Sequence, residues 1–185
     1  MLAQQISAQR ISAQQTAATR PGEIDAGAGA RPKREKLAAG LYLIATPLGN
    51  IGDISHRAVA ILKSVDLLAC EDTRVVRRLC SALAIAAPRL VRYDDHAGEH
   101  ARAQLVDAVR AGQAVGLVAD AGSPLIADPG YRLVRAMRAE GLKVTAVPGP
   151  SAAIAALMLA GLPTDRFLFA GFPPRTRGPR RTWLA

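Results

Sequence analysis

Five short apolar runs alternate with five helical stretches between residues 41 and 160, and that alternation leaves few folds open to the chain. The runs are Leu41–Ala45, Leu67–Cys70, Arg89–Tyr93, Ala114–Ala119 and Lys143–Val147. Each is short and is flanked by Gly, Pro, Asp or Asn, so each reads as a strand. Between them apolar residues recur at helical spacing, as with Ile54, Ala58, Ile61 and Leu62, or Leu105, Ala108 and Val109. Helices are predicted over Ile54–Lys63, Thr73–Leu83, Glu99–Ala111, Pro129–Glu140 and Ser151–Ala160. Proline at the start of the fourth and Gly141 past its end fit the usual asymmetry, and Asp128 reads as its N-cap. Strand and helix in strict alternation predict an α/β fold: a five-stranded, mainly parallel sheet with helices on both faces.

The flanks differ from this body. Residues 1–40 are rich in Ala, Gln, Ser, Gly and Arg, lack aromatics, and repeat Ile-Ser-Ala-Gln at 6–9 and 11–14. Such a composition buries too little surface to offset chain entropy, so a disordered extension is expected. It also has the look of an organellar transit peptide, although a bacterial start-site extension is the preferred reading; an apolar secretion signal is lacking. After Gly161, Thr164–Phe172 reads as a strand entering a new element and Pro173–Arg181 as a basic loop or tail. Residues 163–185 are thus expected to be the start of a truncated C-terminal domain, following an N-terminal domain over 41–162.

Charge and cysteine usage narrow the functional classes. The net charge of +9 lies mainly at the ends, +3 in residues 1–40 and +4 in 173–185. Such ends favour a polyanion such as RNA, the competing reading being a solvated tail. Cys70 and Cys80 lack metal-ligand spacing and read as reduced, buried thiols of a cytosolic protein. With no apolar run of about 18 residues, no membrane-spanning helix is expected.

Parallel strands bring their carboxyl ends to one edge, where ligands bind in open α/β sheets. Five polar loops follow the five strands: Thr46–Asp53, Glu71–Arg74, Tyr93–His96, Asp120–Gly130 and Pro148–Ser151. The fourth is the richest, with two carboxylates, glycines and prolines and a serine in one strand-to-helix turn. None carries a P-loop, a GxGxxG fingerprint, zinc spacing or a GxSxG elbow, which disfavours nucleotide triphosphates, ordinary dinucleotides, a metal site and a serine hydrolase.

The motifs ATPLGNIGDI (45–54), CEDTR (70–74), DAGSPLIADPGYRLV (120–134), PGPSA (148–152) and GLPTDRFLFAGF (161–172) occur in that order. Together they resemble the rRNA-methylating branch of the tetrapyrrole methylase superfamily, over about residues 41–181. The resemblance implies S-adenosylmethionine as cofactor and 2′-O-methylation of a cytidine ribose in 16S rRNA of the 30S subunit. It also implies a homodimer when full length, and a cytoplasmic, membrane-free setting. By position, it places Leu48, Asp120, Gly122, Ser123, Pro124, Ile126, Ser151 and Ala152 at the cofactor. Asp72 and His96 are the catalytic candidates; Glu71 and Arg74 could face the ribose and its phosphate. The competing reading is a cap and salt bridge for Asp72 and Arg74, and a satisfied loop residue for His96. His56 and His100 read as surface residues. Arg74, Arg175, Arg177, Arg180 and Arg181 are the RNA-binding candidates, and no metal is expected. Two alternatives stay open: a small-molecule methylase of the same superfamily, or a truncated, non-catalytic RNA- or nucleotide-binding remnant. Because the superfamily folds its cofactor between two domains, residues 41–162 are expected to fold but to bind the cofactor weakly and to turn over little or no RNA.

Overall fold

A computed structural model describes residues 36–94 and 98–185. The expected extension over 1–40 lies outside these residues as far as 35, and so does His96. The strands are β1 (Gly40–Ile44), β2 (Leu67–Cys70), β3 (Arg89–Arg92), β4 (Ala114–Val118) and β5 (Val144–Val147). The helices are α1 (His56–Ser64), α2 (Thr73–Ala82), α3 (Gly98–Arg110), α4 (Tyr131–Ala139), α5 (Ala152–Leu159) and α6 (Arg177–Leu184). All pairings are parallel, in the order β3-β2-β4-β1-β5. The expected α/β architecture is therefore the one observed.

Chain direction explains the two covered faces. From β1 the chain steps through β2 to β3 towards one edge, then returns through β4 to β5 at the other. Right-handed crossovers put the helices of outward and return journeys on opposite faces. The core divides accordingly. Tyr42, Ile44, Leu68 and Val118 pack with Ala58, Leu62 and Val76 of α1 and α2. Leu41, Leu67, Val115 and Leu117 pack with Leu105, Val109, Leu133 and Met137 of α3 and α4. Alternate residues of one strand thus serve opposite layers. All of β4 is buried, which matches its near-continuous apolar run. Its Gly116 is required by packing, since a Cβ there would lie 2.7 Å from Leu68 Cδ1.

Three expectations are corrected. The fourth helix begins at Tyr131 rather than Pro129, and Asp128 does not cap it: Gly130, at φ 132°, occupies the cap without a side-chain bond. Two left-handed residues, Leu125 and Ala127, prolong the preceding turn instead. Residues 164–172 form no strand. They find no neighbouring backbone to pair with, and an apolar run becomes a strand only against a partner. Arg177–Leu184 is helical rather than loop. Pro179 lies in its first turn, where a missing N–H breaks no helical bond. Among the described residues, no helix is long and apolar enough to cross a membrane.

Candidate functional site

The loop from β4 to α4 is fastened to three neighbours at the carboxyl edge of the sheet. Thr46, just past β1, donates its N–H to the Gly122 carbonyl at 2.8 Å, and Gly122 returns the bond to the Thr46 carbonyl at 3.0 Å. Thr46 is buried, and its Oγ1 also donates to the Ala119 carbonyl at 3.3 Å. Ser123 Oγ donates to the Pro150 carbonyl at 3.1 Å, joining the loop after β5. The Asp72 N–H donates to Asp120 Oδ1 at 3.3 Å, joining the loop after β2. β1 and β4 are neighbours whose chains leave for opposite faces, which is where a crevice opens.

This loop holds an unusual backbone. Gly122 has φ 79°, and the non-glycines Leu125 and Ala127 have φ 72° and 61°. Left-handed geometry costs an L-residue about 1–2 kcal/mol. It persists here because bonds at Asp120, Gly122 and Ser123 fasten the start of the loop and Leu125 packs on the core beneath α4. Such strain concentrates at ligand-binding segments.

Two cavities flank the loop. The first, about 380 Å³, is lined by Leu48, Asp120 to Ser123, Ile126 to Asp128, Ser151 to Ala153, and Phe169, Gly171 and Phe172. Its size falls within the range of small-molecule sites. Of the residues expected at a cofactor, Leu48, Asp120, Gly122, Ser123, Ile126, Ser151 and Ala152 line it together. Pro124 does not; it is buried. Phe169 and Phe172 were not anticipated, although the GLPTDRFLFAGF motif held them in view. Apolar walls, a carboxylate and backbone groups suit a ligand with a flat heteroaromatic part and an ammonium group.

The second cavity, about 350 Å³, is lined by Glu71, Asp72, Thr73, Arg74, Arg92 and Asp120. Asp120 is therefore common to both cavities. Asp72 caps α2 by accepting the Arg74 N–H at 2.8 Å, and grips the Arg74 guanidinium at 2.7 Å. These bonds hold its carboxyl well below the usual carboxylate range. Asp72 is thus the N-cap of α2 and the ion-pair partner that positions Arg74. Burial raises Asp128, with Glu71 and Asp120 adding repulsion. Burial likewise pushes the Cys70 thiol up to about 11, again with Asp120 and then Asp72 contributing. Arg92 also pairs with Asp94 at 3.5 Å.

The remaining candidates lie elsewhere. Arg177, Arg180 and Arg181 share the surface of α6, with Arg180 bonded to the carbonyls of Pro174 and Arg175. None of them, nor Arg175, lines either cavity. His56 and His100 are exposed. Among the described residues no group of His, Cys, Asp and Glu could hold a metal ion. Thr46 escaped the sequence because a single threonine at a strand end looks like any turn residue.

The family model of the tetrapyrrole (corrin/porphyrin) methylases matches residues 40–185, taking in the whole sheet and both cavities. The chain belongs to this family. Relatives of this chain are named ribosomal RNA small subunit methyltransferase I. That of Mesorhizobium japonicum is 49% identical over 144 residues, 78% of this chain and 49% of the relative. That of Rickettsia prowazekii is 46% identical over 140 residues, 76% of this chain and 50% of the relative. That of Escherichia coli O157:H7 is 48% identical over 141 residues, 76% of this chain and 49% of the relative. The chain spans about half the length of the curated relatives it matches.

Proposed function

We propose that this chain is the N-terminal α/β part of an S-adenosylmethionine-dependent methyltransferase of small-subunit rRNA, acting on a cytidine ribose 2′-hydroxyl. The relatives' names support the substrate class. The observation that carries the reading is the pair of cavities sharing Asp120. One has apolar walls for a methyl donor, and the other sets Arg74 and Arg92 among carboxylates, for a phosphate and a ribose. When bound, S-adenosylmethionine supplies a methyl group already activated on sulfur, leaving the protein to bind and orient.

The residues divide that work. Leu48, Ile126, Phe169 and Phe172 offer apolar surface to an adenine ring. Asp120 offers its carboxylate to an ammonium group, while its Oδ1 holds the Asp72 N–H. Gly122 leaves room for close approach of the ligand to backbone, and Ser123 keeps the fifth loop in place. On the other side, Arg74, preset by Asp72, receives a phosphate adjoining the target ribose. Orientation of this kind contributes much of the barrier reduction in group transfer.

Methyl-labelled cofactor and 30S particles from a strain lacking this methylation test the reading. Label in 16S rRNA, at a site resistant to alkaline cleavage as a 2′-O-methylated ribose must be, is the expected result. Label in a porphyrinoid would point to a small-molecule methylase. No transfer, and no heat on calorimetric titration with the cofactor, would refute the proposal for this chain.

A further inference from the structure

Beyond the two cavities, α3 and α4 meet in a third depression of about 510 Å³, lined by Arg102, Tyr131, Arg132, Arg135, Ala136 and Ala139. The two ends of this helix pair differ in charge. At the carboxyl ends, Arg110 is neutralised by Asp107 at 2.7 Å and Glu140 at 2.6 Å. At the amino ends, Arg132 and Arg135 are exposed, and no carboxylate among the described residues pairs with them. Among the described residues, the carboxylate paired with Arg102 is the distant Glu99, at 4.0 Å. On α4, Arg132, Arg135 and Arg138 follow at spacing i, i+3, i+6, with no acid in the helix. Like charges at that spacing repel and contribute nothing to folding. Beside them Tyr131 is 64% exposed, though it follows directly on the cofactor loop. Because helices between parallel strands run against them, these amino ends lie at the same carboxyl edge as the two cavities.

We propose that this cationic groove binds the sugar–phosphate backbone of the RNA flanking the target nucleotide, with Tyr131 as a stacking platform for a neighbouring base. Guanidinium groups beside an exposed aromatic ring are the combination that single-stranded RNA requires. Charge complementarity favours RNA over a protein partner, since Arg102, Arg132 and Arg135 line the depression and no carboxylate among the described residues pairs with Arg132 or Arg135. The proposal rests on the RNA-methylating reading and adds to it a route for the strand outside the reaction site.

The test is fluorescence anisotropy of a labelled, single-stranded, cytidine-containing RNA with the full 185-residue chain over a series of salt concentrations. Each phosphate contact to single-stranded nucleic acid contributes about −0.7 to the slope of log K against log salt. The double variant Arg132→Ala, Arg135→Ala is expected to make the slope shallower by about 1.4. Tyr131→Ala is expected to weaken binding about tenfold without changing the slope. Circular dichroism checks that the variants, all at exposed positions, remain folded. Absence of RNA binding by the unaltered chain would overturn both this proposal and the substrate assignment. An unchanged slope in a chain that methylates 30S particles would overturn the groove alone, as would a slope that responds only to Arg180→Ala, Arg181→Ala on α6. A change in self-association by sedimentation, with the slope unmoved, would overturn it in favour of a contact between copies. A shallower slope in a chain that transfers no methyl group would uphold the groove and sink the catalytic reading.

Discussion

Replacing Gly122 by alanine tests whether the β4–α4 loop shapes the first cavity. Gly122 has φ 79°, and a Cβ on it would lie 3.0 Å from Leu48 Cδ2. The left-handed backbone alone costs alanine about 1–2 kcal/mol. Moving Leu48 away from its preferred rotamer adds about 0.5–1.5 kcal/mol. Gly112, in the turn before β4, is the natural comparison: its φ is +86°, but a Cβ there would meet nothing within 4 Å. Both substitutions reduce the entropy of the unfolded chain alike, so that benefit cancels in the comparison. Gly112→Ala should therefore lose about 1 kcal/mol and Gly122→Ala about 2 kcal/mol. With an m-value of roughly 2 kcal/mol per molar urea, the midpoints fall by about 0.5 M and 1 M respectively. Calorimetric titration with S-adenosylmethionine supplies the second readout. Leu48 lines the cavity, so Gly122→Ala should weaken binding by about tenfold, equivalent to 1.4 kcal/mol, and Gly112→Ala should leave it unchanged. Equal behaviour of the two variants in both measurements would refute the idea that Gly122 and Leu48 together form the wall.

Three further outcomes are expected. Thr46→Val keeps the shape of a buried residue but removes the Oγ1 bond to the Ala119 carbonyl; urea unfolding should show a loss of about 1 kcal/mol, and unchanged stability would mean that the backbone bonds to Gly122 suffice. Asp72 has a folded-state pKa depressed by Arg74, so its contribution is in place above its ordinary value of 3.8 and is lost as pH falls further. Carbon-detected NMR should find Asp72 still ionised when ordinary aspartates have titrated, and Arg74→Ala should return it to their range; a normal titration in the unaltered chain would contradict the ion pair. Cys70 and Cys80 are both buried, and the Cys70 thiol is held neutral with a pKa of about 11. A thiol reagent should therefore modify neither at neutral pH until urea unfolds the chain, and rapid labelling of the native protein would show that the edge of β2 opens.

Much of the fold could be read directly from local pattern. β2 begins and ends where its apolar run does, at Leu67 and Cys70, because a strand buried on both faces is apolar throughout. Helix ends were less legible where the signal was a single residue. Asp128 before Pro129 has the form of a cap, yet the left-handed turn at Leu125 and Ala127 delays α4 to Tyr131 and leaves Gly130 at the cap. Asp72 could be read as a base or as a cap; the cap and the ion pair with Arg74 appear only in the fold. Residues 164–172 have strand composition and no strand partner, a property no local pattern contains.

The division has a physical origin. Periodicity, turn residues and motif order are local, and they alone determined that this chain alternates strand and helix, gathers polar loops at one edge, and resembles the tetrapyrrole methylases. Which loops are bonded to which depends on the strand order β3-β2-β4-β1-β5, and no segment of sequence encodes that by itself. The order brings Thr46 beside Gly122 and Asp72 beside Asp120, and so divides one polar edge into two cavities with a shared carboxylate. It also sets Arg102 of α3 against Arg132 and Arg135 of α4, three arginines from two helices that became a groove only when α3 packed on α4.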